Sequence, residues 1–241
     1  MTYNFLELVN QVNRPLNEVE LNSTNFATAI GFYAHAKDAV NQAIRDINQS
    51  VFTWPWNHTT QDDTLVVGTS RYNLQSDYKY VDRYSFRIQQ DDTIGNNTQR
   101  LTYIEYHEYL NNFIDQEYET DTSIRAIPQY VTLTPSEEYI VSPVPDAAYT
   151  LTYEYYSSPA SLSAYNDVPV IPEKFSHVIY AKAMYYAYIF RSNKESADMM
   201  KALYEDNLED MRKIMINNYD RVRGTEVIRS KYRLSGKVFS Y

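Results

Sequence analysis

The stretch PVPDAAYTLTYEYYSSPASLSAYNDVPVIPEKF, residues 143–175, contains a turn, a strand and the start of a helix, in that order. Prolines and an aspartate open it, as they do in many turns. Tyrosine or leucine then alternates with threonine or glutamate over residues 149–155, which is the period-two pattern of a strand with one buried face. After a connector rich in Ser, Asn and Asp, Pro172 and Glu173 make a favourable first helical turn. The stretch therefore predicts the end of a β region and the start of a helical one.

Helical periodicity dominates both ends of the chain. Residues 3–13 predict a short helix, and a longer one is predicted to begin at Ser23 or Thr24. The stripe of this longer helix consists of Phe26, Ile30, Tyr33, Ala34, Lys37, Val40, Ile44 and Ile47. Two more helices follow Pro172. Their stripes are Phe175, Val178, Ile179, Lys182, Tyr186, Ile189 and Phe190 in the first, and Ala197, Met200, Leu203, Leu208, Met211, Ile214 and Met215 in the second.

Strands and turns are predicted between residues 51 and 159. The change begins at Val51–Trp56, an aromatic run in which Pro55 forbids a helix. The predicted strands are Leu65–Thr69, Tyr80–Ile88, Leu101–Ile104, Tyr130–Leu133 and Tyr139–Ser142, in addition to the strand of residues 149–155. Ile94–Asn97 has the composition of a hairpin turn, and Tyr106–Ile114 predicts a short helix.

The order of these elements predicts an α+β fold. Elements of one type usually pack together, so the N- and C-terminal segments should form a helix bundle around an inserted antiparallel β subdomain. We expect the bundle to comprise residues 1–50 and 171–223, and the mainly β subdomain to comprise residues 51–170. Residues 224–241 are expected to form an extended basic arm.

Composition excludes several classes of site. Cysteine is absent, which excludes disulfides and zinc–cysteine sites. The chain has five glycines, where about seventeen would match the usual frequency of about 7%. They are too dispersed for the glycine-rich loops that cradle phosphates. The N-terminal residues lack a signal peptide's basic cluster, and no run of 18 apolar residues occurs. We therefore expect a soluble protein of intracellular origin with no membrane partner.

Candidate catalytic and metal-ligating residues are few. His107–Glu108 begins like a metalloprotease motif, but Asn111 stands where the second histidine is needed. Asp62–Asp63 and Asp91–Asp92 are interpreted as solvated loop charges, because neither pair has the alternating oxygen ligands of a calcium loop. We expect no cofactor and no metal. A glycosidase pair of carboxylates stays open, since only geometry defines one.

The 25 tyrosines have two compatible interpretations. Tyrosine favours strands, so packing within the sheet is the first. Tyrosine is also enriched at contacts between proteins, which is the second.

Charge is distributed unevenly along the chain. The net charge is −9, but residues 212–241 contain eight basic and two acidic side chains, so this tail is +6 and the remaining body is −15. An acidic body is a poor binder of nucleic acid. Within the tail, apolar and basic residues alternate as in an extended strand that could add to a partner's sheet. The candidate partner-binding residues are Ile228, Arg229, Lys231, Tyr232, Arg233, Leu234 and Lys237. The alternative interpretation is a solvated chain end.

The chain resembles phage head-to-tail adaptor proteins of the tail tubular protein A type. The resemblance is carried by the segments Leu6–Leu16, Val51–Trp56, Pro143–Pro159 and Ile171–Arg191. It implies a virion protein that forms a homo-oligomeric ring, usually of twelve copies. It also implies partners: the portal protein above, a tail or nozzle protein below, and genomic DNA that passes without sequence-specific binding. The basic tail would then be an arm that docks on the portal.

Two other functions stay open. A different virion ring, such as a tail-completion or baseplate component, would use the same structural logic. A cell-wall glycosidase of the virion is the enzymatic alternative, with a carboxylate pair as its catalytic groups. Adaptors of the resembled kind can also stay monomeric until the portal templates the ring.

Overall fold

The computed structural model describes residues 3–89, 98–119 and 121–216. Its helices are α1 (Phe5–Asn13), α2 (Phe32–Ser50), α3 (Tyr106–Asn112), α4 (Ile114–Tyr118), α5 (Ser176–Phe190) and α6 (Lys194–Met215). Its strands are β1 (His58–Thr64), β2 (Arg71–Asn73), β3 (Tyr78–Val81), β4 (Arg87–Gln89), β5 (Thr98–Arg100), β6 (Thr102–Tyr103), β7 (Tyr130–Leu133), β8 (Glu138–Ser142) and β9 (Thr150–Ser157). The predicted α+β class is confirmed.

The chain divides into two compact units. A helical unit combines residues up to Ile47 with those from Ser163 onward, and a sheet unit spans Asn48–Leu162. The helical unit contains α1, α5, α6 and most of α2. The sheet unit contains all nine strands together with α3 and α4.

Helix α1 has the predicted position. Asn4 caps it, because its Oδ1 accepts a hydrogen bond of 2.9 Å from the backbone N–H of Glu7. The helix tightens into a 3₁₀ turn over residues 14–16, where Pro15 cannot continue an α-helix. Its buried face includes Phe5, Leu8, Val9 and Val12.

Helix α2 begins at Phe32, eight or nine residues after the predicted cap at Thr24 or Ser23. Asn22 Oδ1 accepts hydrogen bonds from the backbone N–H groups of Thr24 and Asn25, so this part of the chain forms turns. Gly31, with φ +62°, then redirects the chain into the helix. Phe26 is nevertheless buried, against Phe5. The predicted helix start at residues 23–24 was wrong, because the apolar spacing before Phe32 comes from a folded loop.

Helices α5 and α6 follow Pro172 as predicted. A 3₁₀ turn at Glu173–Phe175 leads into α5, and Asn193 caps α6 by accepting from the backbone N–H of Ser196. The buried face of α5 is built largely from small or flexible residues, among them Ala181, Ala183, Met184 and Ala187. Small side chains allow close approach of the two helices, which pack against each other along much of their length.

Lys182 of α5 lies in an aromatic and acidic pocket of the helical unit. Its Nζ is 3.2 Å from Asp46 Oδ2 and lies over the rings of three tyrosines, 4.6–5.3 Å from their centroids. These are Tyr185, Tyr186 and Tyr204. The side chain is only 17% exposed. The predicted stripe thus includes a lysine because its charge is paired within the helix packing.

The sheet unit contains two sheets. In the first, the order is β1-β9-β4-β5 and β3 also pairs with β9; in the second, the order is β2-β8-β7-β6. All pairs are antiparallel except β6–β7, which is parallel. Strand β9 is central to the first sheet, and its burial alternates as predicted: Leu151, Tyr153 and Tyr155 are buried.

Aromatic rings fill the core of the sheet unit. Phe86 stacks on Tyr153 with ring centroids 5.0 Å apart, and Tyr139 lies 5.6 Å from both rings. All three side chains are fully buried. The Tyr139 hydroxyl donates a hydrogen bond of 2.8 Å to Asp63 Oδ2, which satisfies its polar end. The prediction that tyrosines pack within the sheet is confirmed for these residues.

Two predicted strands differ from the structure. The segment Leu65–Thr69 is a turn and loop, and the strand lies just before it as β1. Gly68, with φ +79°, fixes that turn. The predicted strand Tyr80–Ile88 is interrupted at Asp82, which forms a turn by accepting from the backbone N–H of Tyr84. The predicted hairpin turn Ile94–Asn97 lies outside the described residues.

A polar network holds α3 and α4 to the second sheet. Arg71 of β2 forms an ion pair with Glu117 of α4, and Tyr109 of α3 donates a hydrogen bond of 3.0 Å to the same carboxylate. Burial of Glu117 favours its neutral form, but these hydrogen bonds outweigh that effect and lower the pKa of Glu117.

Candidate assembly surfaces

The predicted C-terminal arm, residues 224–241, lies outside the described residues, which end at Ile216, and so do its candidate partner-binding residues between Ile228 and Lys237. Its role therefore stays a prediction. Within residues 3–89, 98–119 and 121–216, several surfaces have the character of protein contacts.

The acidic residues singled out from the sequence take part in contacts of the fold. Asp62 Oδ1 accepts a hydrogen bond of 2.6 Å from Thr152 Oγ1, and Asp63 accepts from Gln61 and Tyr139. His107–Glu108 lies within α3, and Asp91–Asp92 falls outside the described residues. In the described ranges, no group of three or more histidines and carboxylates is arranged to hold a metal ion.

An aromatic patch lies where α2 begins and α5 ends. It consists of Phe32, His35, Phe190 and Arg191. The His35 and Phe190 rings are stacked 4.2 Å apart, and the Arg191 guanidinium lies 4.6 Å from the centre of the Phe32 ring. Phe190 is 54% exposed. Exposed aromatic and arginine side chains are enriched at protein interfaces, so the patch is a candidate contact surface.

A second apolar surface runs along α6. Met199, Leu203 and Ile214 are exposed, and their spacing of four and eleven residues places them on one face of the helix. Asp206 and Asp210 lie on the same face between Leu203 and Ile214. We call these five residues the α6 stripe. Methionine is enriched at contacts between proteins, so the stripe is a second candidate contact surface.

Strand β1 forms an edge of the first sheet. Its register with β9 runs from His58↔Tyr156 to Thr64↔Thr150, and Leu65 N–H bonds to Tyr149 O at the same register. Bonded pairs alternate in an antiparallel ladder, so the odd-numbered residues of β1 bond to β9. The even-numbered residues therefore direct their backbone N–H and C=O groups away from the sheet. These residues are His58, Thr60, Asp62 and Thr64.

Most of these outward backbone groups carry no hydrogen bond within the described part of the chain. The exceptions are His58 N–H, which bonds to Pro55 O, and Asp62 O, which accepts from the side chain of Gln61. The side chains of these even-numbered residues are also exposed. We call this row of backbone groups the β1 edge. Such an edge is a template for an additional strand.

The face of the first sheet that carries the exposed even-numbered side chains of β1 is called the open face. Beside β1 it is aromatic and acidic. The His58 and Tyr80 rings flank Tyr156, with centroids 5.4 and 6.1 Å from it. His58 Nε2 lies 3.1 Å from Glu154 Oε2. With Asp62 nearby in the strand, this face presents rings and carboxylates to solvent.

A shallow groove of about 370 Å³ opens between β3, the start of α3 and the turn that links β7 and β8. Tyr78, Tyr80 and Tyr103 line it. Arg83 lies 5.2 Å from the centre of the Tyr103 ring and pairs with Glu105 at 3.6 Å. Tyrosine and arginine walls suit a peptide segment of another protein better than a small polar substrate.

These surfaces suit association with proteins. The β1 edge was missed by sequence reasoning, because HTTQDDT contains no apolar residue and its strand signal is only the run of threonines. The strand with which β1 pairs, β9, was predicted from its alternating sequence. In the described residues, no helix has both the length and the hydropathy needed to cross a bilayer.

Comparison with known proteins identifies the family. The family described as SU10 adaptor protein matches residues 3–229, which is nearly the whole chain. No curated protein matches the chain significantly. The match covers both units and reaches into the predicted arm. The resemblance to phage adaptors is therefore confirmed, and the chain belongs to the SU10 adaptor protein family of structural phage proteins.

Proposed function

We propose that the chain is a head-to-tail adaptor whose copies form a ring, of twelve subunits, between the portal and the tail of a phage. The ring would extend the DNA channel from the portal towards a tail or nozzle protein. The family match over residues 3–229 is the observation that carries this proposal. The protein would act by geometry and by binding, at the head–tail junction of the virion.

The described surfaces support ring formation. The aromatic patch and the α6 stripe are two different apolar surfaces of one helical unit. Contacts that repeat around a ring are heterologous, which means that two different surfaces of neighbouring subunits meet. The aromatic patch of one subunit could therefore meet the α6 stripe of the next.

Net charge supports passage of DNA without retention. Twelve copies at −9 each would carry about −108. Phosphate contacts supply most of the affinity of proteins for DNA, and an acidic ring provides few of them. DNA would then slide through the ring without sequence-specific binding.

The basic arm is proposed to contact the portal. Its seven candidate residues carry four positive charges and three large apolar side chains. An extended segment of this kind can bind by adding to a sheet of its partner, with backbone hydrogen bonds giving affinity and side chains giving specificity.

Deletion of residues 227–241 tests the arm. We expect the shortened chain to keep the far-ultraviolet circular dichroism of both units and to lose binding to purified portal rings in co-sedimentation. A Ser230→Ala variant is the matched control, because it removes neither charge nor apolar surface from the arm, and should bind normally. Normal binding of the shortened chain would overturn the role of the arm in portal docking.

A tail-completion or baseplate ring would use similar surfaces in another part of the virion. Binding to the portal separates these functions, since only a neck adaptor should associate with the isolated portal ring. The glycosidase alternative has no supporting observation in the described residues. A turbidity assay on peptidoglycan tests it, and clearing that depends on one carboxylate would favour it.

A further inference from the structure

The β1 edge accepts a strand only of suitable length and charge. It offers outward N–H groups at Thr60, Asp62 and Thr64, and outward carbonyls at His58, Thr60 and Thr64. These groups span seven residues of a strand whose other side is fully paired with β9. A partner strand of about seven residues would satisfy all of them.

Charge restricts which strand can pair there. Asp62 is exposed on the open face and Glu154 lies beside it on β9, while Asp63 lies on the opposite face of β1. Two β1 edges brought together would place these carboxylates against one another, and like charges across strands are unfavourable. A strand with a basic row would instead be attracted. The edge therefore discriminates against pairing with itself and favours a basic partner.

The same chain contains a segment with these properties. In Ile228–Leu234, Arg229, Lys231 and Arg233 alternate with Ile228, Ser230, Tyr232 and Leu234. In an extended conformation the basic side chains share one face. Paired on β1, that face would lie beside Asp62 and Glu154, and the apolar side chains would extend the covered side of the sheet.

We propose that Ile228–Leu234 of one copy adds as a strand to the β1 edge of a neighbouring copy. Eleven residues lie between Ile216, the last described residue, and Ile228, and the twelve steps from one Cα to the other span about 40 Å in an extended chain. Arm and edge are different surfaces, so the contact is heterologous and repeats from subunit to subunit. This inference rests on the proposed ring, and it names the acceptor of the arm within it.

The added strand would also prepare the arm for the portal. Its basic row would lie on the open face of the first sheet, with side chains at the surface. The arm would then meet the portal as part of an ordered sheet, which lowers the entropy lost when it docks.

Disulfide cross-linking tests the pairing directly, because the natural chain contains no cysteine. Thr60→Cys is combined in turn with Arg229→Cys, Lys231→Cys and Arg233→Cys, and the protein is oxidised both alone at high concentration and bound to portal rings. Thr60 lies on the open face, as the basic row would. We expect at least one pair to give disulfide-linked multimers on a non-reducing gel. The matched control, Thr60→Cys with Tyr232→Cys, places the thiols on opposite faces and should cross-link at least about fivefold less.

A backbone variant gives an independent result. Thr60→Pro removes an outward N–H without removing a bond to β9, so an edge strand tolerates it. Thr60→Pro is combined with Thr64→Cys, which lies on the same face of β1 and leaves Asp62 in place, and with the basic-row cysteine that cross-links to residue 64. It should lower the cross-linking yield about fivefold, whereas Thr60→Ala should not.

Each outcome decides a separate question. Three results would overturn the inference. They are cross-links within one chain only, a control pair with Tyr232→Cys that cross-links as well as the basic-row pairs, and no cross-link in portal-bound protein. Portal binding by the natural chain is measured separately, so a failed cross-link with normal portal binding leaves the proposed adaptor function standing. If the natural chain does not bind the portal ring, the proposed adaptor function is overturned.

Discussion

Replacing Lys182 by methionine should destabilise the helical unit strongly. The substitution keeps an unbranched apolar side chain but removes the ammonium group that lies 3.2 Å from Asp46 Oδ2 and over three tyrosine rings. Asp46 would keep its hydrogen bond from Tyr186 but lose its cationic partner in a site where its side chain is 20% exposed.

The magnitude follows from the burial of the pair. Removing one partner of a fully buried ion pair costs about 3–5 kcal/mol. A cation–π contact is worth about 0.5–1 kcal/mol at an exposed site and about 2 kcal/mol when desolvated. These contributions overlap, and both side chains of the pair are partly exposed, so we expect a loss of about 2–3 kcal/mol in the free energy of unfolding. The tyrosines are also affected by this site: burial, with the nearby Asp46 charge, raises the pKa of Tyr204 to about 12.

Urea denaturation followed by circular dichroism at 222 nm measures the effect. Lys201→Met is the matched control, because Lys201 is also on a helix but is 56% exposed and lies 3.9 Å from Glu205. It should change stability by less than about 0.5 kcal/mol. The double variant with Asp46→Asn should lose less than the sum of the two single losses. A loss below about 0.5 kcal/mol for Lys182→Met would refute the reasoning that the pocket stabilises the bundle.

Two further predictions concern the sheet unit, where Trp54 and Trp56 are fluorescent reporters of unfolding. Glu117→Gln should cost about 2 kcal/mol at pH 7, because Arg71 loses its closer carboxylate partner and is left with Glu138, 3.7 Å away. The pKa of Glu117 is lowered in the folded protein, so its charge stabilises the fold above the ordinary carboxyl pKa. That stabilisation is lost as the pH falls through the folded pKa. The loss of stability caused by Glu117→Gln should therefore shrink towards pH 3. Lys79→Met should cost about 1.5 kcal/mol, since Lys79 Nζ donates to the carbonyls of Asn48 and Val51 at the end of α2.

A penalty for Glu117→Gln that is equal at pH 7 and pH 3 would mean that its charge is not what stabilises the network. An unchanged fluorescence midpoint for Lys79→Met would mean that water satisfies the helix end equally well.

Strong periodicity made some elements predictable. The alternation of residues 149–155 placed β9 correctly, including which side chains are buried, and Pro172 marked the start of the last two helices. These signals are local, because one strand or helix face reveals its own burial pattern.

Other elements depend on partners that are distant in sequence. Strand β1 has no apolar residue, and it is a strand because it pairs along its full length with β9, about 90 residues later. The late start of α2 depends on the side chain of Asn22 and on Gly31, which override an apolar spacing that continues through the loop. Lys182 fits an apolar stripe only because Asp46 and three tyrosines surround it. The predicted domain limits and the role of the arm stay predictions.

The mass of the protein, alone and mixed with its portal ring, tests the central claim most directly. Light scattering or native mass spectrometry gives this mass and so counts the copies bound. The adaptor function predicts a portal complex that gains many copies, twelve for the proposed ring, even if the free protein is monomeric. A folded protein that fails to associate with the portal ring at modest salt would contradict it.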